Sequence, residues 1–355
     1  MTFADMTSGG DANRRGDDAN RPDDDEILDL LITRADLDGL IRLIDAHCSA
    51  RNWRGLKRLA SRARWAIGTG RQLWPAATHA EYRLALEAPA EWAASVVHDE
   101  GGHFSIGPLT EVVAQQHTWS ELANHLDHSV ATGLVAHERV LRGEDLRTEA
   151  DNLIDPLALP LIIEPWEPTY ARAIYRADGF EAAPPPTPPS DRFIPLAPSG
   201  GTPIIDATVE LAVRQLLEPW TASSNGRAEI AAVEGDAHDA VASLGVPIQR
   251  ARLAPLTAAQ AMAWLAWAGA SGGAHGRRRG GATGRFGAWW TAAAIGNALD
   301  DWPLTGTELA EIVHELEWFW WDASEPVAGW QLRLAVHDPL DGLGWAINAH
   351  DAMIE

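Results

Sequence analysis

Six arginines and not one Asp or Glu lie between Asp239 and Asp300, in a 355-residue chain with 50 acidic residues and a formal net charge of −22. At the chain's average acid content, that gap would hold about eight carboxylates. Four of the arginines fall in one glycine-laden stretch, Gly272-Gly273-Ala274-His275-Gly276-Arg277-Arg278-Arg279-Gly280-Gly281-Ala282-Thr283-Gly284-Arg285. Glycine bares backbone N–H groups, and guanidinium forks match phosphate or carboxylate oxygens in pairs. A helix expected to begin at Arg285 adds unpaired N–H groups that favour an anion. The residues expected to hold one are Gly272, Gly273, His275, Gly276, Arg277, Arg278, Arg279 and Arg285. Two other readings stay open, a solvated surface turn and docking of the acidic run Asp23–Glu26 onto the loop. Trp264, Trp267, Phe286, Trp289 and Trp290 flank the segment. Bases could stack on such indoles, but the alanine-rich helical setting of Trp264 and Trp267 marks them as core.

Other residues offer weaker chemistry. Gly269-Ala270-Ser271-Gly272-Gly273 fits the G-x-S-x-G formula of a serine nucleophile, with His314 or His337 as possible bases. That motif needs a strand entering and a helix leaving, whereas here the pattern runs helix into glycine. His98, Asp99 and His103 are the densest group of metal-ligand types, but their spacing matches no helical zinc motif, and solvated histidines in a polar loop fit as well. No cofactor is expected. Thr307–Trp321 reads as one helix, with Leu309, Ile312, Val313, Leu316 and Trp320 on its apolar face. Glu308, Glu311, Glu315 and Trp318 fall on the opposite face, which makes Trp318, Glu311 and Glu315 a candidate protein interface unless another part of the chain covers the indole.

Composition bounds the rest. Hydrophobic residues make up 46 % and charged residues 22 %, as in a globular protein with ample core. The acidity opposes general nucleic-acid binding, so any polyanion contact must be local. A single cysteine, Cys48, leaves no internal disulfide. Lys57 is the sole lysine and follows no glycine-rich turn, which removes a P-loop. Met1–Pro22 has no apolar core of a signal peptide, and no apolar run is long enough for a bilayer, so the expected location is the cytoplasm.

The elements that must position the loop follow from pattern. Residues 1–26 are polar and acidic and read as a disordered tail. Residues 27–150 carry helical periodicity broken at short intervals, either a bundle or HEAT/TPR-like hairpins. Residues 151–178 read as short strands, with Leu161–Ile163 and Ala171–Tyr175 as the apolar runs. Residues 179–203 are a proline-rich connector. Residues 204–355 alternate helices and strands, including a helix over Asp206–Leu217, strands over Glu229–Val233, Val246–Leu253 and Trp330–Val336, and a closing helix over Gly344–Met353. The expected class is α+β, a helical N-terminal domain joined to a mixed α/β C-terminal domain.

Gln72-Leu73-Trp74-Pro75, the run Ala80–Pro89 and the segment Trp264–Trp290 resemble an uncharacterised family of bacterial proteins from GC-rich genomes. The likeness would cover most of the chain beyond residue 26, and it implies no activity. The expected role is therefore non-catalytic recognition of a phosphorylated ligand or an acidic protein segment by the loop. An enzyme acting on a phosphorylated or carboxylated small molecule is the alternative, and a hydrolase using Ser271 a second one.

Overall fold

A computed structural model describes residues 24–98, 107–150, 153–324 and 329–352. Chain contacts divide it after Glu81 into two units. The first holds α1 (Asp24–Arg34), α2 (Leu37–Ser49), α3 (Trp53–Gly68) and the start of α4 (Trp74–Glu87). Asp36 accepts from Gly39 N at 2.9 Å and Asn52 from Gly55 N at 3.0 Å, so side-chain oxygens cap α2 and α3. Leu40, Ile44, Leu56 and Leu59 are fully buried between them. α1 begins inside the stretch read as a tail, and its Asp25 pairs with Arg58 of α3. Residues 1–23, where most of that tail lies, are outside the described residues.

The second unit opens with α5 (Ala90–Ala94), α6 (Leu109–Gln116), α7 (Trp119–Leu122) and α8 (Val130–Val140). A hairpin follows, β1 (Ile174–Arg176) with β2 (Gly179–Glu181). Then come β3 (Ile194–Pro195), β4 (Thr202–Ile204), α9 (Ala207–Leu216), α10 (Glu218–Ala222), β5 (Arg227–Glu234), α11 (Ala237–Ser243) and β6 (Arg252–Leu256). The chain continues through α12 (Ala258–Ala270), α13 (Gly281–Ile295), α14 (Gly306–Glu315), β7 (Glu317–Asp322), β8 (Trp330–Asp338) and β9 (Leu343–Asp351).

Seven of these strands pair antiparallel in the order β3-β6-β7-β8-β9-β5-β4. The fold is α+β with a helical N-terminal region. Pro195 and Pro203 sit in β3 and β4, the two edge strands, where a residue without an N–H does least harm to the ladder. Both faces of the sheet are covered. Trp318, Trp320, Leu332, Leu334, Trp345 and Ile347 share one core with α9, α12, α13 and α14. Val233, Leu253, Trp321, Ala335 and Ala346 share another with α11. Asp239 in α11 accepts from Ser199 N at 2.7 Å and Gly200 N at 2.8 Å, which ties the end of the proline-rich stretch to the sheet. Burial alone would push the Asp239 carboxyl up; the N–H groups of Gly200, Gly201 and Ser199 hold it down at about 2.

Five element readings are corrected. The Thr307–Trp321 helix ends at Glu315, and Glu317–Asp322 is strand β7. Where a helix is expected over Gly344–Met353, strand β9 occupies Leu343–Asp351 and pairs with β8 and β5 on its two sides. Sheet burial on two faces removes the polar–apolar alternation that marks a strand, so its alanines and Trp345 imitate a helix. Leu161–Ile163 lies in turns and irregular backbone, and the strand expected from Val246 starts only at Arg252. α13 begins at Gly281, one turn before Arg285.

Candidate anion site at the glycine-arginine loop

The loop joins α12 to α13, two helices held close by glycine. A side chain at Gly284 would run into Ala266 O and Ala270 Cβ of the facing helix. Within the loop, a Cβ at Gly272 or Gly276 would strike the other's backbone, and Gly273 has a φ of +70° that suits glycine. The glycines thus let the turn fold tightly on itself. Three of its N–H groups are occupied: Gly273 N donates to Ser271 Oγ at 3.1 Å, Ala274 N to Asp351 Oδ2 at 2.5 Å, and His275 N to Ser224 Oγ at 3.0 Å. The N–H of Gly273 is therefore not free for a ligand, which corrects the expectation at that residue.

The missing acids of residues 240–299 are supplied from elsewhere in the chain. Arg278 donates Nε to Glu111 Oε2 at 2.9 Å and Nη2 to Oε1 at 2.8 Å, with 6 % and 0 % of the two side chains exposed. The Tyr175 hydroxyl donates to the same carboxylate at 2.7 Å. Arg285 repeats the arrangement on Glu167, at 2.8 and 2.6 Å, and also donates to Pro160 O and Ile162 O. Tyr170 and Trp289 complete the shell of Glu167, at 2.6 and 3.0 Å. At the start of α13 the anion is Glu138, whose Oε1 accepts from Ala282 N at 2.7 Å while Oε2 takes Arg142 Nη1 at 2.9 Å. Arg278 and Arg285 are spent on internal carboxylates, and the helix N-terminus is already capped. Neither is open to a ligand, a second correction.

The titrations follow from these contacts. Burial would raise the Glu111 carboxyl, but Arg278, with Tyr175 and Arg142, holds it below its ordinary value. Glu167 is lowered in the same way by Arg285, against its burial. Glu138 goes the other way: burial, then the neighbouring Glu111 charge, push it above the usual carboxylate range despite Arg142. Burial and the adjoining carboxylates raise the Tyr175 and Tyr170 hydroxyls.

Three cationic or titratable groups of the loop remain at the surface, His275, Arg277 and Arg279. Arg279 Nη1 donates to Gln215 O at 3.2 Å and lies 3.7 Å from Glu218, an exposed pair. It stands where two cavities meet, for both are lined by Arg279 and Glu218. One, of about 440 Å³, runs between α9, α12 and α13 and is lined by Ala212, Leu216, Gly269, Phe286, Gly287 and Trp290 among others. The other, of about 460 Å³, is lined by Pro219, Ser223, His275, Gly276 and Arg277 besides. Phe286 stacks on Trp290 with centroids 5.8 Å apart, and Trp302 packs edge-on to both. The arrangement joins an apolar slot with an aromatic end to a basic mouth.

The remaining candidates part from it. Ser271 ends α12, is 7 % exposed and accepts from Gly273 N, while His314 Nδ1 bonds to Ala310 O and His337 Nδ1 to Glu317. No base is brought to the serine among the described residues, so it lacks the geometry of an activated nucleophile. Trp318 is 2 % exposed, and its Nε1 donates to Val313 O at 2.9 Å; it is a core residue, which corrects the interface reading. Glu311 and Glu315 are exposed on α14 without it. Among the described residues no group of three metal-ligand side chains converges; His98 is exposed, and Asp99 and His103 lie outside those residues. No helix among the described residues is long and apolar enough to cross a membrane. Sequence reading missed Glu111, Glu138, Glu167 and Asp351, all 8 % exposed or less. The available signal for Glu111 and Glu138 was a charge set inside an apolar helical run, Leu109–Ala114 and Val135–Val140.

Residues 38–352 match the model of a family described as "Family of unknown function (DUF6183)", and the chain belongs to that family. No curated protein and no solved structure matches it.

Proposed function

We propose that this DUF6183 member is a non-catalytic recognition protein that binds a small amphipathic anion, a carboxylate or phosphate on an apolar body. The apolar part enters the slot between α9 and α13, and the anionic head meets Arg279. The observation that carries this reading is the position of Arg279, exposed at the junction of an apolar cavity and a basic one while Arg278 and Arg285 are neutralised internally. Its exposed contact with Glu218 is the kind of surface pair worth about 0–1 kcal/mol, so a ligand oxygen displaces it at small cost. A slot of about 440 Å³ has the size of small-molecule pockets, which favours a small ligand over an acidic protein segment. The polar side chains lining the two cavities make no nucleophile–base hydrogen bond among the described residues, which favours recognition over catalysis.

The test is a melting screen with alkyl and aryl carboxylates and phosphates, each beside its neutral ester or amide. Anionic members should raise the melting temperature of wild type and not of Arg279→Ala, and Gly287→Val should block them by filling the slot. Equal shifts for the neutral compounds, or unchanged shifts in Arg279→Ala, would refute it.

A further inference from the structure

A third cavity, of about 650 Å³, has no lining residue from the glycine-arginine loop and is lined by Gln115, Arg139, Arg142, Tyr170–Ile174 and Pro184. Its lining includes three arginines and no acid. In a chain of net charge −22, such a surface is a local exception to the field of the whole molecule.

Part of that charge has a structural use. Arg139 donates Nη1 to Ala114 O, in the last turn of α6, and Nη2 to Glu144 at 2.7 Å. Arg142 donates to Glu138 O at 2.8 Å, to Glu138 Oε2 at 2.9 Å and to Glu111 O at 3.2 Å. Ala114 O and Glu138 O are among the carbonyls that α6 and α8 leave unpaired at their C-terminal ends, whereas Glu111 O lies in the first turn of α6. This accounts for two guanidinium groups, not for the remainder. Arg139 Nε is buried without a hydrogen-bond partner, a donor whose desolvation no other contact offsets. Arg172 is exposed and makes no hydrogen bond or ion pair with any described residue. The walls beside it are apolar: Ala171, Ala173 and Pro184 line the cavity, Ile174 is 45 % exposed, and the hydroxyl of Tyr170 is committed to Glu167.

We propose that the cleft bounded by Arg139, Arg142 and Arg172 is a second binding site, for a small organic molecule bearing a phosphate or diphosphate group. A doubly charged phosphoryl group suits this cavity, since the unpartnered Arg172 fork can take a pair of its oxygens while Arg139 and Arg142, held by Glu144 and Glu138, are fixed in the wall. The apolar wall of Ile174, Ala173 and Pro184 would take the organic part. Arg172 is the recruiting residue, because it has no internal partner to leave. This site shares no lining residue with the two cavities at Arg279 and does not depend on them.

The experiment is calorimetric titration of the full chain with inorganic pyrophosphate, at about 0.15 M salt to screen diffuse attraction. Wild type, Arg172→Gln, Arg172→Lys and Arg279→Ala are compared. Saturable binding that weakens roughly tenfold or more in Arg172→Gln, recovers in part in Arg172→Lys and persists in Arg279→Ala supports the cleft. Absence of saturable heat with wild type overturns it, as does equal affinity in Arg172→Gln. Loss of binding in Arg279→Ala with retention in Arg172→Gln also overturns it and would assign the anion to the loop instead. Because Arg172 is exposed and unpartnered, its variants should fold like wild type, which far-ultraviolet circular dichroism and the melting curve establish.

Discussion

Replacing Arg278 with Met should destabilise the second unit by about 3–5 kcal/mol at neutral pH, the usual loss when one partner of a buried ion pair is removed. The size follows from what stays behind. Glu111 is fully buried, and without the two guanidinium bonds at 2.8 and 2.9 Å its remaining side-chain donor is the Tyr175 hydroxyl at 2.7 Å. For a domain of this length the loss corresponds to a fall in melting temperature of roughly 10 °C. The loss should also depend on pH. In wild type, Arg278 lowers the Glu111 pKa, so that group contributes stability above its unfolded value near 4.3, lost as pH falls through the folded one. In the variant, burial is countered only by the Tyr175 hydroxyl and Arg142, so the same carboxyl rises and favours the folded state when protonated. The gap between wild type and variant therefore narrows from pH 7.5 toward about pH 5. Urea unfolding followed by tryptophan fluorescence at both pH values measures it. Arg278→Met combined with Glu111→Leu should recover most of the loss, since a hydrophobic replacement of both partners is often neutral. A deficit below about 1 kcal/mol, a deficit that does not change with pH, or a double variant as unstable as the single would refute the reasoning.

Two further outcomes follow from the same packing. Glu138 has a carboxyl raised by burial and by Glu111, so its contribution is present below the unfolded value near 4.3 and is lost as pH rises through the folded one. Glu138→Gln should flatten that part of the stability–pH curve, and an unaltered curve would mean the group does not titrate there. Trp318→Ala removes a 2 % exposed indole from the sheet core and should cost about 3–5 kcal/mol in chemical unfolding, whereas a change under 1 kcal/mol would mean the site collapses around the gap.

The α+β class was legible in the sequence, and so were the elements with local signatures. The helix read over Asp206–Leu217 is α9, which Asp206 announces because a capping side chain bonds within three residues of itself. Strands β7 and β9 were not legible, since Trp318, Trp320 and Ile347 face one core while Trp321 and Ala346 face another. Doubly covered strands lose their alternation, and only pairing across the sheet reveals them. The charge gap around the loop was a true signal whose meaning was misassigned. Sequence shows that Arg278 and Arg285 need an anion; it does not show that Glu111 and Glu167, 167 and 118 residues away, provide it. Arg279 differs from them in having no buried carboxylate among its partners, a property of the folded chain alone.

The bond between Glu111 and Arg278, and its counterpart between Glu167 and Arg285, ties each residue's permitted identity to that of one distant position. Relatives should lose or reverse the two members together, because an intermediate with one of them stranded is the costliest state available. Drift at these four sites should thus be slow and paired, whereas Arg279 and Arg172, bound by no such contract, are free to follow whatever each lineage has to hold.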